Sequence, residues 1–331
     1  MPSNLHLKVR KEGLISRQTE RPLSTAAAAT PPQIWLAVSS IFHYLGPSFA
    51  VLLFPSVGVL GVAWLRIASA ALVFAPWTKP WRAFAVANAR TRWMLIALGV
   101  CLALMNVSFY QALARLPMSL VAMMEFVGTI CVALAGVRSL RNMAALGVAV
   151  VGVAIMTDLR WSEDAIGLVW SVLNSLLFVG YIVLGHAIAG NGANRGVQRL
   201  GASMAIGLVV ITPIGLGRAI AVFNAPILIL AGVGVGVCSS VIPYVCDQLA
   251  MSRLPRSSFA LLLALLPSTA TVIGMVVLAQ VPTWQDLAGL ALVTAGILTH
   301  RAGRRSDDER GVSEPTPRRR SRRPRRFWRT R

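Results

Sequence analysis

Between residues 34 and 300 the chain runs through ten apolar stretches, each close to the roughly 20 residues an α-helix needs to cross the hydrocarbon core of a bilayer. They fall at 34–54, 57–77, 93–113, 117–137, 142–158, 165–188, 200–217, 225–246, 257–279 and 284–300, the fifth, seventh and tenth being short. The loops between them are mostly three to ten residues, too few for a soluble domain. A backbone polar group in hydrocarbon has no water to bond, so segments of this kind must fold as helices that satisfy themselves. Composition agrees, with 56% hydrophobic and only 13% charged residues. The expected class is an all-α integral membrane protein.

A duplication organises these stretches. Residues 113–129 read LARLPMSLVAMMEFVGT and residues 251–267 read MSRLPRSSFALLLALLP, so that Arg-Leu-Pro at 115–117 returns 138 residues later at 253–255. Gln111 precedes the first copy and Gln248 the second, while Leu146-Gly147-Val148-Ala149 answers Ala288-Gly289-Leu290-Ala291. Ten helices built from two copies give five per half, and an odd number makes the halves cross the membrane in opposite senses. The expected domains are a basic N-terminal segment at 1–31, a first five-helix repeat at 32–158, a second at 165–300, and an Arg-rich tail at 301–331. Both end segments are expected to be disordered, and residues 1–31 lack the pattern of a secretory signal.

Loop cations orient the chain. With the N-terminus cytoplasmic, the inner segments before the tail hold fifteen Lys and Arg, whereas the outer loops hold only Arg115, Arg160 and Arg218. That asymmetry places both termini inside. The first Arg-Leu-Pro turn then lies outside and the second inside. Of the 32 Lys and Arg behind the net charge of +20, 13 lie in residues 301–331. A basic tail beside a membrane body reads as an anchor to anionic lipid, and no nucleic acid is expected. Cys101, Cys131, Cys238 and Cys246 lie inside apolar stretches without metal-ligand spacing and read as small buried hydrophobes, so no metal or cofactor is expected.

Several short motifs carry a family resemblance over about residues 34–300. They include Phe54-Pro55-Ser56-Val57-Gly58 with Leu65-Arg66, then Lys79-Pro80-Trp81-Arg82 and Ser108-Phe109-Tyr110-Gln111-Ala112-Leu113. Arg115-Leu116-Pro117, Glu125-Phe126 and Ser240-Val241-Ile242-Pro243-Tyr244 complete the set. With these the chain resembles the drug/metabolite transporter superfamily with two EamA-type halves, and within it the bacterial threonine and homoserine exporters. The resemblance implies ten helices, cytoplasmic termini, the bacterial inner membrane, and export of small amino-acid-like metabolites. The chain departs from that branch at Leu266-Pro267, where an acidic residue usually precedes the proline, and at Ala279-Gln280, where a Gly-Glu pair is usual. It also has apolar Ala50-Val51-Leu52-Leu53 where a lysine is common, which leaves substrate and coupling ion open.

An ionisable side chain at mid-depth is costly, by roughly 2.5–3.5 kcal/mol on insertion scales, and is seldom accidental. Arg66 lies nine residues into the second stretch and Glu125 eight into the fourth. Both sit about 12–14 Å below the outer end at 1.5 Å per residue. His43 reaches a similar level from the inside. Arg66 and Glu125 fit either a packing ion pair or a substrate site, with Arg66 on a carboxylate and Glu125 facing an ammonium group or exchanging a proton. His43 fits a site, or a hydrogen bond to a carbonyl near the Pro47 kink.

Two polar ladders are expected at the outer and inner mouths. Asn106, Ser108, Tyr110 and Gln111 form one, and Ser239, Ser240, Tyr244, Asp247 and Gln248 the other. Asn174 and Tyr181, seven apart on one helix face, line a cavity or pack. Gly232, Gly234 and Gly236 are expected to let helices approach closely, and Met118, Met123 and Met124 to fill the core.

These features favour a secondary transporter exporting small metabolites such as threonine or homoserine, driven by a proton or substrate gradient. Importers or exporters of a sugar, nucleotide-sugar or cationic drug compete most closely, because direction is not legible from symmetry. An enzyme is not expected, since no nucleophile–base set or His-Glu-x-x-His motif converges at one depth. A homodimer is left open as the assembly.

Overall fold

In the computed structural model, the described residues are 30–135, 140, 143–144, 147–148, 151–152, 154–155, 164–189, 193–263 and 265–299. Among them every regular element is helical. Helix α1 spans Pro32–Val57, α2 Val59–Thr78, α3 Pro80–Ala85, α4 Ala89–Leu113 and α5 Met118–Ala135. After the stretch expected at 142–158, most of which lies outside the described residues, come α6 at Ala165–Ala189 and α7 at Ala193–Ala219. A 3₁₀ turn, Ile220–Asn224, leads to α8 at Pro226–Gly236, a π-helical turn at Val237–Val241 and α9 at Ile242–Met251. The last described helices are α10 at Arg256–Leu262, α11 at Leu265–Leu278 and α12 at Trp284–Thr299.

Among the described residues six helical spans are long and apolar enough to cross a membrane: α1, α2, α4, α6, α7 and the continuous run Pro226–Met251. Met118–Thr129 and Leu266–Leu278 are shorter apolar helices. Leu72, Leu176, Val209, Leu230 and Val276 are 65–78% exposed, the outward apolar surface that lipid covers and water would not.

Three local departures from the sequence expectation have identifiable causes. The stretch expected at 200–217 starts seven residues earlier, at Ala193, because its polar first turns still form helix and Arg199 Nη1 donates to the Ile188 carbonyl at 3.0 Å. The segment expected as one helix at 257–279 divides into α10 and α11, where Pro267 lacks the N–H that would bond Leu263. Residues 80–85, expected as loop, form the short helix α3. Lys79 ends α2 in the left-handed region at φ 47°, and Pro80 starts α3 with a φ already suited to a first turn.

The two Arg-Leu-Pro copies adopt one turn. In the first, Ala114 N donates to Tyr110 O, Arg115 N to Ala112 O and Leu116 N to Ala112 O, at 2.8–3.0 Å. The second repeats all three bonds 138 positions on, from Ser252, Arg253 and Leu254 to Gln248 and Ala250, at 2.9–3.1 Å. This register pairs Tyr110 with Gln248. The expected match of Gln111 to Gln248 is therefore off by one residue.

Packing runs mainly between the earlier and later helices. Helix α1 lies on α9 and α11, α2 on α7 and α8, α4 on α6 and α7, and α5 on α6, α10 and α11. Small residues set the closest approaches. A Cβ on Gly46 of α1 would overlap Ser239, lying 2.5 Å from its backbone nitrogen, and one on Gly236 would overlap Ser69 of α2. Gly232 meets Leu65 as expected, whereas Gly234 has nothing near it. Met118 and Met123 are buried in the core.

Candidate functional site

The interior is polar where the chain breaks its own helix. Pro243 has no N–H to offer the Ser239 carbonyl four residues back, beside the π-helical turn. Arg66, 3% exposed on α2, fills the gap: its Nη2 donates to Ser239 O at 2.8 Å and its Nε to Ser240 Oγ at 2.9 Å. The rings of Tyr110 and Phe109 face the guanidinium, with Cζ 5.4 and 5.8 Å from their centroids. The gap beside Arg66, bounded in part by Asn106, Met204 and Tyr244, is too narrow to admit a water molecule.

Glu125, buried on α5, is held from two sides. Tyr44 Oη of α1 donates to Oε2 at 2.6 Å, and Asn174 Nδ2 of α6 donates to Oε1 at 2.7 Å. His43 Nε2 stands 4.0 Å from Oε2. Its ring packs edge-on against Tyr44, Phe109 and Phe178, so the expected hydrogen bond to a carbonyl near Pro47 gives way to an aromatic setting beside Glu125. Arg66 and Glu125 form no salt bridge, because each is already taken by partners from another helix.

Asp247 on α9 has a matching clamp. Ser39 Oγ of α1 donates to Oδ1 at 2.6 Å and Tyr181 Oη of α6 to Oδ2 at 2.7 Å. The same two helices thus hold both carboxylates. Along α1 the order is Ser39 then Tyr44, from Asp247 towards Glu125; along α6 it is Asn174 then Tyr181, from Glu125 towards Asp247. Helices α1 and α6 therefore pass the pair in opposite senses. Five residues on one and seven on the other separate the clamps by about 7–10 Å.

The ladder residues do not line open mouths. Tyr110, Tyr244, Asp247, Gln248 and Asn106 are all buried, since the earlier and later helices close over them. Asn106 Nδ2 donates to Ala63 O at 2.7 Å, and Asn106 Oδ1 is buried without a hydrogen-bond partner. Tyr244 packs its ring 5.3 Å from Tyr181. Gln111 stands apart: its Oε1 and carbonyl accept from Arg115 Nη1 near the end of α4, outside the cluster. Ser39 and Tyr44 were not singled out by sequence as site residues, because hydroxyls in apolar helices are common. A cleft of about 180 Å³ at Pro117, Gln280 and Asp286 contains none of the expected site residues.

Among the described residues, an all-helical fold with an apolar exterior and charges buried between helices is that of a multi-pass membrane protein, and its relatives make it one of the transporter class. The threonine/homoserine exporter RhtA of Salmonella typhimurium (strain LT2) is 31% identical over 264 residues, which cover 78% of this chain and 87% of the exporter. RhtA of Escherichia coli (strain K12) is 30% identical over 267 residues, covering 80% and 89%. The chain belongs to the RhtA family of threonine/homoserine exporters, within the drug/metabolite transporters. A protein of known crystal structure shares the fold at TM-score 0.55 and 15% identity, over 80% of this chain and 94% of its own. No protein-family model matches the chain.

Proposed function

We propose that this protein is a secondary transporter of the bacterial plasma membrane that exports small amino acids of the threonine and homoserine kind. Arg66 and Glu125 carry the reading: opposite charges, buried between the earlier and later helices, bound to neutral groups and not to each other. A zwitterion has the complementary pair. Its carboxylate takes the place of the Ser239 carbonyl and Ser240 hydroxyl on Arg66, in a bidentate geometry that guanidinium favours. Its ammonium group takes the place of Tyr44 and Asn174 on Glu125. Asn106, Tyr110, Tyr244 and His43 form the walls. The names and substrates of the RhtA relatives support this choice.

The mechanism is alternating access between inverted halves at 32–158 and 165–300, with both termini cytoplasmic and the tail at 301–331 on anionic lipid. Support comes from the antiparallel passage of α1 and α6 and from the way contacts exchange when the halves are swapped. The α4–α6 pair answers α9–α1, and α5–α6 answers α11–α1. In the closed arrangement Arg66 and Glu125 hold the earlier and later helices together through the bonds that substrate would replace. Substrate binding frees those bonds and lets the halves rock.

The test is counterflow by the purified chain in proteoliposomes with a panel of labelled amino acids. Exchange of threonine or homoserine is expected. If the protein moves a sugar or a cationic drug and none of the amino acids, the substrate assignment is wrong.

A further inference from the structure

Asp247 has no place in the zwitterion site, yet it is 1% exposed and tied to the same two helices. Glu125 is held by one hydroxyl, Tyr44, and one amide N–H, from Asn174, which only donates; Asp247 is held by two hydroxyls, Ser39 and Tyr181, each able to donate or accept. Ser39 Oγ also lies 3.3 Å from the Pro243 carbonyl, a second acceptor for its hydrogen. Two protonation states of Asp247 are thus accommodated without moving a helix. With the carboxylate charged, Ser39 donates to Oδ1; with a proton on Oδ1, the acid O–H donates to Ser39 Oγ, whose own hydrogen turns to Pro243 O.

Among the described residues no cation forms a salt bridge with Asp247. From α6 Tyr181 donates to it, with the Tyr244 ring of α9 5.3 Å from that of Tyr181, and Cys246 precedes it on α9. Arg66 of α2 is committed to Ser239 and Ser240 and Arg199 of α7 to the Ile188 carbonyl, while Arg256 is the first residue of α10. On α1 the titratable neighbour of Ser39 is His43, one turn on, which stands against Glu125.

We propose that Asp247 carries the coupling proton, with Ser39 and Tyr181 as positioning residues, so that export exchanges one proton for substrate. The inference rests on the transporter reading above. An O–H bond forms at Oδ1 with a proton from one aqueous side and breaks by release to the other, taking the carboxyl from −1 to 0 and back. Coupling follows from the shared helices, because a shift of α1 against α6 that breaks the Ser39 and Tyr181 bonds to Asp247 also breaks the Tyr44 and Asn174 bonds to Glu125.

The full chain in proteoliposomes tests this through a ratio: labelled threonine flux driven by an imposed pH gradient, divided by counterflow at equal pH. The wild-type ratio is expected to be well above one. In D247N it is expected to fall about tenfold or more, and in D247E to recover, since the longer acid still binds a proton. S39A and Y181F, each removing one hydroxyl, are expected to lower the ratio and to shift the pH of half-maximal drive; they decide the matter if D247N does not reach the membrane. A wild-type chain indifferent to the gradient, or a D247N ratio within about twofold of wild type, overturns the proposal. A wild-type chain that moves no amino acid defeats the substrate reading instead, and the ratio is then measured with the solute it does move.

Discussion

The guanidinium of Arg66 and the carbonyl of Ser239 meet at 2.8 Å because Pro243 supplies no N–H to that carbonyl. Residues 173 apart in sequence are joined at the one point where the run Pro226–Met251 loses its regular bonding. Removing the arginine breaks this join as well as the proposed binding site. R66A is expected to abolish counterflow and to lower stability by roughly 1–3 kcal/mol, since a buried carbonyl is left unsatisfied. R66K keeps the charge but loses the planar fork, and is expected to fall about tenfold or more in transport with a smaller loss of stability. Thermal unfolding in detergent, run beside the flux assay, separates the two effects.

Glu125 is expected to respond differently. E125Q keeps the shape and one oxygen to receive Tyr44 or Asn174, so the protein is expected to fold and reach the membrane at normal levels. Counterflow is expected to drop about tenfold or more, with its pH dependence flattened, because the variant can neither pair with an ammonium group nor titrate. Transport and pH dependence both equal to wild type would reduce Glu125 to a packing group.

Gly46 offers a purely steric prediction. In G46A the new Cβ would lie 2.5 Å from Ser239 N and 2.7 Å from its Cα, both backbone atoms that cannot swing aside. The expected loss is roughly 1–3 kcal/mol, read as a lower midpoint of thermal unfolding. G234A, with nothing within 4 Å of its Cβ, serves as the control and is expected to unfold like wild type.

The inverted arrangement is open to direct labelling. In a background lacking the four native cysteines, R115C and R253C occupy exposed positions in the same turn. An impermeant maleimide applied to intact cells is expected to modify the first and not the second. Modification of both from outside would remove the inverted assignment.

Truncation after Arg304 is expected to leave counterflow unchanged in liposomes of neutral lipid. Binding of the untruncated chain's tail to anionic vesicles is expected to weaken with salt, as screening requires.

Much of this protein was readable before any coordinate. The apolar stretches at 34–54, 57–77, 93–113 and 165–188 match α1, α2, α4 and α6 closely, because membrane length and backbone satisfaction leave few alternatives. The Arg-Leu-Pro duplication reappears as one turn with the same bonds, because those contacts are local. Arg66 and Glu125 stood out for the same reason that they are costly. The residues that escaped were Ser39 and Tyr44, and Gln111, expected at the outer mouth beside Tyr110, lies with Arg115 apart from the cluster that Tyr110 joins. A serine, tyrosine or glutamine in a helix carries no signal of which neighbour it faces.

The sequence by itself therefore determined the helices, the repeated turn and the charges that had to be buried, all set by composition and by contacts a few residues long. Tertiary structure decided the pairing. Glu125 and Asp247 are clamped by residues 49–208 positions away, and Arg66 bonds Ser239 in place of Glu125. Those choices depend on how helices pack, and packing is a property of whole surfaces meeting across the chain.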